Sequence, residues 1–192
     1  MTLVPRAPGR VRIIAGTWRS RMLPVPNLPG LRPTADRVRE TLFNWLGPML
    51  RGARCLDLFA GTGALGFEAL SRGAARCVFV EDAAPALAGL RDSVQRLGAA
   101  ERAEIHAGDA RRYLEGPAER FDVVFLDPPF ATHLIPEILH VLAARWLAPD
   151  ARVYLESPRE GPEIPLPEGW RMMRAGQTRQ VRFGLAHRVP ET

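Results

Sequence analysis

Asp127-Pro128-Pro129-Phe130 closes an apolar run, Phe121 to Leu126, and places an acid, a rigid carbonyl and an aromatic ring side by side. The Asp127 carboxylate and the Pro128 carbonyl are two acceptors, enough to bind the hydrogens of an aromatic exocyclic amine and draw its nitrogen toward a tetrahedral shape. Paired prolines stiffen that carbonyl, and Phe130 can stack on a base, a contact worth about 1–3 kcal/mol. Pro-Pro as a mere strand end accounts for neither the acid before it nor the ring after it. A second constellation lies upstream, where Asp57 precedes Gly61-x-Gly63-x-x-Gly66, with Glu81 twenty residues after Gly61. Glycine lets backbone approach a ligand closely, and the N–H groups opening a helix offer donors and a positive dipole end. The Glu81 carboxylate suits both hydroxyls of a ribose.

These residues need elements to carry them. Arg54 to Glu68 reads as strand, tight turn and helix, with Cys55, Leu56, Leu58 and Phe59 as its apolar run. From there apolar runs alternate with helical segments, the pattern of a parallel sheet wrapped by helices. Strands are expected at Cys77 to Glu81, in AEIHAGDA up to Asp109, in FDVVFLDPPF and in ARVYLES, with helices near 64–72, 84–97 and 134–146 and a brief one in ARRYLE. WRMMRAG and QVRFGLAH, separated by Gln177 to Arg179, form a closing hairpin. Gly61, Glu81, Asp109 and Asp127 each follow a different strand. In open α/β sheets that edge is where ligands bind, so all four converge on one crevice.

Ahead of this core, residues 10–26 alternate in two β-prone runs around Gly16, which predicts an antiparallel hairpin with Arg10, Arg12, Arg19 and Arg21 on its polar surface. After a Pro/Gly-rich loop, Thr34 is the expected N-cap of a helix whose apolar stripe is Val38, Leu42, Trp45, Leu46 and Met49. The chain thus divides into a basic arm, 1–50, packed on a core, 51–192.

Size and charge sharpen this. At 192 residues there is room for one domain and a short extension. The formal charge of +5 belongs to the arm: residues 1–40 hold eight Arg against Asp36 and Glu40. A basic arm is expected of a phosphate-contacting surface. All 26 basic residues are Arg, which reads as codon bias rather than selection at a site. Cys55 and Cys77 are expected as small buried thiols of a reducing cytoplasm. The four His have no ligand spacing with them, so no metal is expected. The N-terminus lacks a signal-peptide core and no apolar run reaches about 18 residues; the expectation is a cytoplasmic monomer away from membranes.

Taken alone, the glycine pattern with Glu81 fits a nicotinamide-dinucleotide site as well as an S-adenosylmethionine (AdoMet) site. Asp57 followed by Phe-Ala-Gly-Thr-Gly resembles the first motif of class I AdoMet-dependent methyltransferases, and Asp127 to Phe130 resembles the D/N-P-P-F/Y motif of enzymes that methylate exocyclic or amide nitrogens. The implied fold is a Rossmann-like, seven-stranded, mostly parallel sheet with a terminal antiparallel hairpin, extended by the N-terminal hairpin and helix. Its cofactor residues would be Asp57, Phe59, Ala60, Gly61, Thr62, Gly63, Glu81, Asp109 and Ala110, the last two at the adenine edge; Asp127, Pro128, Pro129 and Phe130 would be catalytic.

Arg12-Ile13-Ile14-Ala15-Gly16 with Trp18-Arg19, then Leu31-Arg32-Pro33-Thr34 and Asp36 to Phe43, together with DLFAGTGALGFEALSRGA and LDPPF, closely resemble the bacterial small-subunit ribosomal RNA guanine-N2 methyltransferases, the RsmD family. That resemblance implies AdoMet as donor, S-adenosyl-L-homocysteine as product, and N2 of one guanine in 16S rRNA, position 966, as acceptor. It also implies an assembling or assembled 30S subunit as substrate. Arg10, Arg12, Arg19, Arg21, Arg32, Arg37 and Arg39 would then grip rRNA phosphates. The residues alone leave open a same-fold enzyme acting on DNA adenine or protein glutamine, and a non-catalytic RNA-binding assembly factor.

Overall fold

A computed structural model describes residues 9–28, 33–128, 134–161, 163–164 and 166–189. Its centre is a seven-stranded sheet built from β3 (Arg54–Asp57), β4 (Arg76–Glu81), β5 (Ala103–Ala107), β6 (Phe121–Leu126), β7 (Leu147–Pro158), β8 (Trp170–Gln177) and β9 (Val181–Arg188). The strand order is β5-β4-β3-β6-β7-β9-β8. β3 to β7 run parallel, and the β8–β9 hairpin adds antiparallel to β7. β3 and β6 are apolar along their buried centres, as strands covered on both faces must be.

Alternation splits those side chains between two layers. Cys55, Cys77, Phe79, Val123, Phe125 and Tyr154 point to the layer holding α1 (Asp36–Leu46), α2 (Ala64–Ser71) and α3 (Ala84–Leu97). Leu56, Val78, Val80, Val124, Leu126 and Leu155 point to the layer holding α4 (Ala110–Glu115) and α5 (Leu134–Val141). Cys55 and Cys77 are free, buried thiols. The α5 helix continues as a π-helical turn over Leu142–Trp146, and β7 begins at Leu147, ahead of the expected Ala151. Gln177 belongs to β8, so the connecting turn is Thr178 to Gln180. Among the described residues no helix is long and apolar enough to cross a membrane.

The arm begins with the antiparallel pair β1 (Arg10–Arg12) and β2 (Met22–Pro24). Val11, Ile13, Trp18 and Leu23 are buried in the same cluster as α1 and α2, so arm and sheet share one apolar core. A buried polar clamp fixes the approach. Glu68 accepts the Ile14 and Ala15 N–H groups at 2.7 and 3.0 Å, and Ser71 Oγ donates to the Ala15 carbonyl at 2.6 Å while accepting the Trp18 N–H at 2.9 Å. Gly16 is required at this crossing. Its φ is +83°, and a Cβ there would lie 1.9 Å from the Ser71 carbonyl oxygen.

Two expectations for the arm are corrected. Helix α1 starts at Asp36 with Ala35 as its N-cap, so Thr34 lies one residue too early to cap it; its hydroxyl bonds Glu156 instead. Arg39 is fully buried: it sits one helical turn before the buried Phe43 and widens the apolar stripe. Its guanidinium is spent on Glu68 at 3.4 Å, Asp36 at 2.7 Å and the Arg12 carbonyl at 2.7 Å. No phosphate can reach it.

Candidate active site

The glycine turn supplies three different services. Gly61 and Gly63 adopt φ of +53° and +72°, the left-handed region that a side chain resists, and Gly63 opens α2 as its N-cap. Gly66 is packed so closely on β4 that a Cβ would lie 2.3 Å from the Phe79 ring and 2.8 Å from the Cys77 sulfur. Beneath the turn, Asp57 Oδ2 accepts the Gly66 N–H at 3.0 Å. Burial pushes the Asp57 carboxyl up to about 8, with Glu81 adding to the rise and the Gly66 bond opposing it.

Glu81 ends β4 and spans the next loop. Its carboxylate accepts the Gly61 N–H at 2.7 Å, the Ala83 N–H at 2.8 Å and the Asp82 N–H at 3.1 Å. Asp109 follows β5 and N-caps α4, Oδ1 accepting from the Arg111 and Arg112 N–H groups at 2.9 and 3.1 Å. Asp127 follows β6 at the level of the turn. Burial, then the charges of Glu156 and Asp57, hold its carboxyl well above the usual carboxylate range.

All these groups line one cavity of about 800 Å³, the size of a small-molecule site. Asp57, Phe59, Ala60, Gly61, Thr62, Glu81, Asp109, Ala110, Asp127 and Pro128 all contribute to its wall, so the sequence-predicted residues meet as the topology required. Gly63 stands behind the wall. Pro129 and Phe130, like Arg32 of the arm, lie outside the described residues. Arg10, Arg12, Arg19, Arg21 and Arg37 are exposed.

Other wall residues were not legible in the sequence. Pro33 and Thr34 come from the arm, Glu156 and Ser157 from the end of β7, and Thr178 and Gln180 from the β8–β9 turn. Glu156 is the chief omission. Its Oε2 accepts the Tyr154 hydroxyl at 2.5 Å, Thr34 supplies a second bond, and burial raises its carboxyl against both. An acid ending a strand at the same edge as Glu81 and Asp127 was the available signal.

The donor set fits AdoMet better than a dinucleotide. Asp57, Glu81, Asp82, Asp109, Asp127 and Glu156 line the cavity, with Arg111 the one cation among the described wall residues. Such a field favours a cationic sulfonium and repels a pyrophosphate. Ser157 Oγ, buried in the same wall, has no hydrogen-bond partner among the described residues, a group left for a ligand to satisfy.

Comparison with known proteins agrees. Residues 11–186 match the family model described as conserved hypothetical protein 95. The chain is 45% identical to ribosomal RNA small subunit methyltransferase D of Haemophilus influenzae, over 94% of this chain and 95% of that one. It is 44% identical to the protein of the same name from Escherichia coli K12, over 94% and 91%. A solved Escherichia coli structure, yhhF, provisionally named a methyltransferase, superposes with a TM-score of 0.86 at 40% identity, covering 95% of this chain and all of that one. An RNA methyltransferase from Salinibacter ruber, solved with S-adenosyl-L-homocysteine, shares the fold at 18% identity, with a TM-score of 0.65 over 84% of this chain and 95% of that one.

Proposed function

The chain belongs to the conserved hypothetical protein 95 family, that of the small-subunit ribosomal RNA methyltransferases D, and from that premise we propose that it methylates the exocyclic N2 of one guanine in 16S rRNA. The observation carrying this reading is the buried acid Asp127, paired with no cation among the described residues, standing beside the glycine turn in one cavity.

Ala60 to Gly63, Glu81, Asp109 and Ala110 would hold AdoMet, which would supply an electrophilic methyl group on a cationic sulfur. The protein's part is then alignment. The Asp127 carboxylate and Pro128 carbonyl accept the two hydrogens of the guanine amine and turn its lone pair toward the methyl, an arrangement worth several kcal/mol. As the N–C bond forms and the sulfur–methyl bond breaks, its electron pair returning to the sulfur, the amine loses one proton. Asp127 is its nearest acceptor, and a carboxyl held above its usual range takes it readily. Phe130, from the sequence motif, would stack on the base.

The base must arrive unpaired and unstacked, since N2 is unreachable inside a helix. The folded 30S particle presents it, and the exposed Arg10, Arg12, Arg19, Arg21 and Arg37 grip phosphates nearby.

The test is to incubate the protein with AdoMet and 30S subunits from cells lacking this activity, then digest the RNA and identify methylated nucleosides by mass spectrometry. One N2-methylguanosine per particle is expected. Asp127→Ala should lose transfer by about a thousandfold or more while keeping AdoMet affinity. AdoMet binding with no methylated nucleoside would overturn the RNA reading; naked 16S rRNA serving equally well would overturn presentation by the particle.

A further inference from the structure

Glu156 stands at the end of β7 in the same cavity wall as Asp127. Leu126 and Leu155 are register partners in the parallel pair β6–β7, so the residues after them, Asp127 and Glu156, stand side by side at the carboxyl edge. Alternation puts both on one face: Asp127 follows Phe125 and Glu156 follows Tyr154, and both aromatics belong to the layer of α1. Both acids line the same cavity.

Glu156 is also held still. The Tyr154 hydroxyl donates to Oε2 at 2.5 Å, and the Thr34 hydroxyl, from the arm, makes the other bond. A carboxylate offers about four acceptor sites, so two protein donors leave capacity facing the cavity. No basic side chain among the described residues pairs with it, and a buried acid without a cation needs donors from elsewhere.

Guanine offers them in a matching pattern, because its N1–H is adjacent to its N2 amine on the Watson–Crick edge. We infer that Glu156 accepts the N1–H of the target guanine while Asp127 and Pro128 hold N2, so that two neighbouring acceptors select guanine over any purine lacking that hydrogen. Adenine places an N1 lone pair there, against the carboxylate. The inference rests on the proposed guanine-N2 chemistry.

A base analogue separates the two. 2-Aminopurine keeps the 2-amine but has an unprotonated N1. The substrates are 30S particles reconstituted from 16S rRNA carrying either guanine or 2-aminopurine at the target position. Wild-type protein should prefer guanine in kcat/KM by at least about a hundredfold. Glu156→Gln, whose amide can donate to N1, should lose guanine activity and narrow that preference below about tenfold, with melting temperature and AdoMet affinity unchanged. Equal use of both bases by the wild type overturns the inference whether or not the variant folds, as does an unchanged preference in a folded E156Q. Failure of the wild type to methylate guanine particles would instead sink the guanine reading and this inference together.

Discussion

Buried carboxylates do opposite work in two places on the same face of the sheet. Glu68, fully buried on α2, is saturated: two backbone N–H groups, Arg39 at 3.4 Å and Arg72 at 2.6 Å all bond it. Asp127 and Glu156, at the strand ends, have no cation among the described residues, and the Asp127 carboxyl is raised by burial first and then by like charge from Glu156 and Asp57. A buried charge is tolerable when paired and hydrogen-bonded and costly when not. The clamp is therefore structure, and the strand-end acids hold unmet electrostatic demand that a cationic cofactor and an amine-bearing base can supply.

Removing one acid from each place gives the largest contrast. Glu68→Ala leaves Arg39 with Asp36 as its one remaining carboxylate and the Ile14 and Ala15 N–H groups unsatisfied, so a loss of about 3–5 kcal/mol is expected in urea unfolding. Asp127→Ala removes an uncompensated charge and should leave stability unchanged or raised while abolishing transfer. If both variants unfolded alike, the distinction between clamp and site would not hold.

Much of this contrast was invisible to spacing. The α3 boundaries, the four strand-end positions and the closing hairpin follow from local periodicity and turn chemistry, which a sequence displays directly. Arg39 reads as solvated because its partner Glu68 is 29 residues away and only packing of α1 on α2 unites them. Thr34 looks like an N-cap because Thr before an acidic first turn usually is one. Its side chain faces Glu156 of β7, 122 positions on, a pairing created by topology alone. Arg39 and Thr34 gain their roles from long-range partners that no window of sequence contains.

Asp57 sharpens the contrast through pH. Its folded-state carboxyl is raised from 3.8 to about 8, so between those values the folded protein holds a proton that the unfolded chain has released. Stability from this group is therefore present at low pH and is lost as pH rises through the window, fully by about pH 8. Asp57→Asn keeps an acceptor for the Gly66 N–H and never ionises. It should be more stable than the wild type at pH 8–9 by on the order of 1–3 kcal/mol and no different near pH 4. Urea titrations at the two pH values measure this, and a pH-independent difference would mean that the charge is compensated.

The smallest effect distinguishes two arginines of the arm that the sequence presents alike. Arg19 is exposed, whereas Arg39 is sealed against Glu68 and Asp36. If Arg19 neutralises one phosphate, Arg19→Ala should weaken binding to 30S particles only a few-fold, and should flatten the plot of log affinity against log salt by about 0.7 to 0.9. Its stability should stay within about 0.5 kcal/mol of wild type, as for most surface substitutions. Arg39→Lys should behave inversely. A single ammonium cannot reproduce the fork that joins Glu68, Asp36 and the Arg12 carbonyl, so stability falls by about 1–2 kcal/mol with the salt slope unchanged. A shallower slope in folded Arg39→Gln would return Arg39 to the RNA-binding surface, because only loss of a charge that displaces counterions flattens that slope.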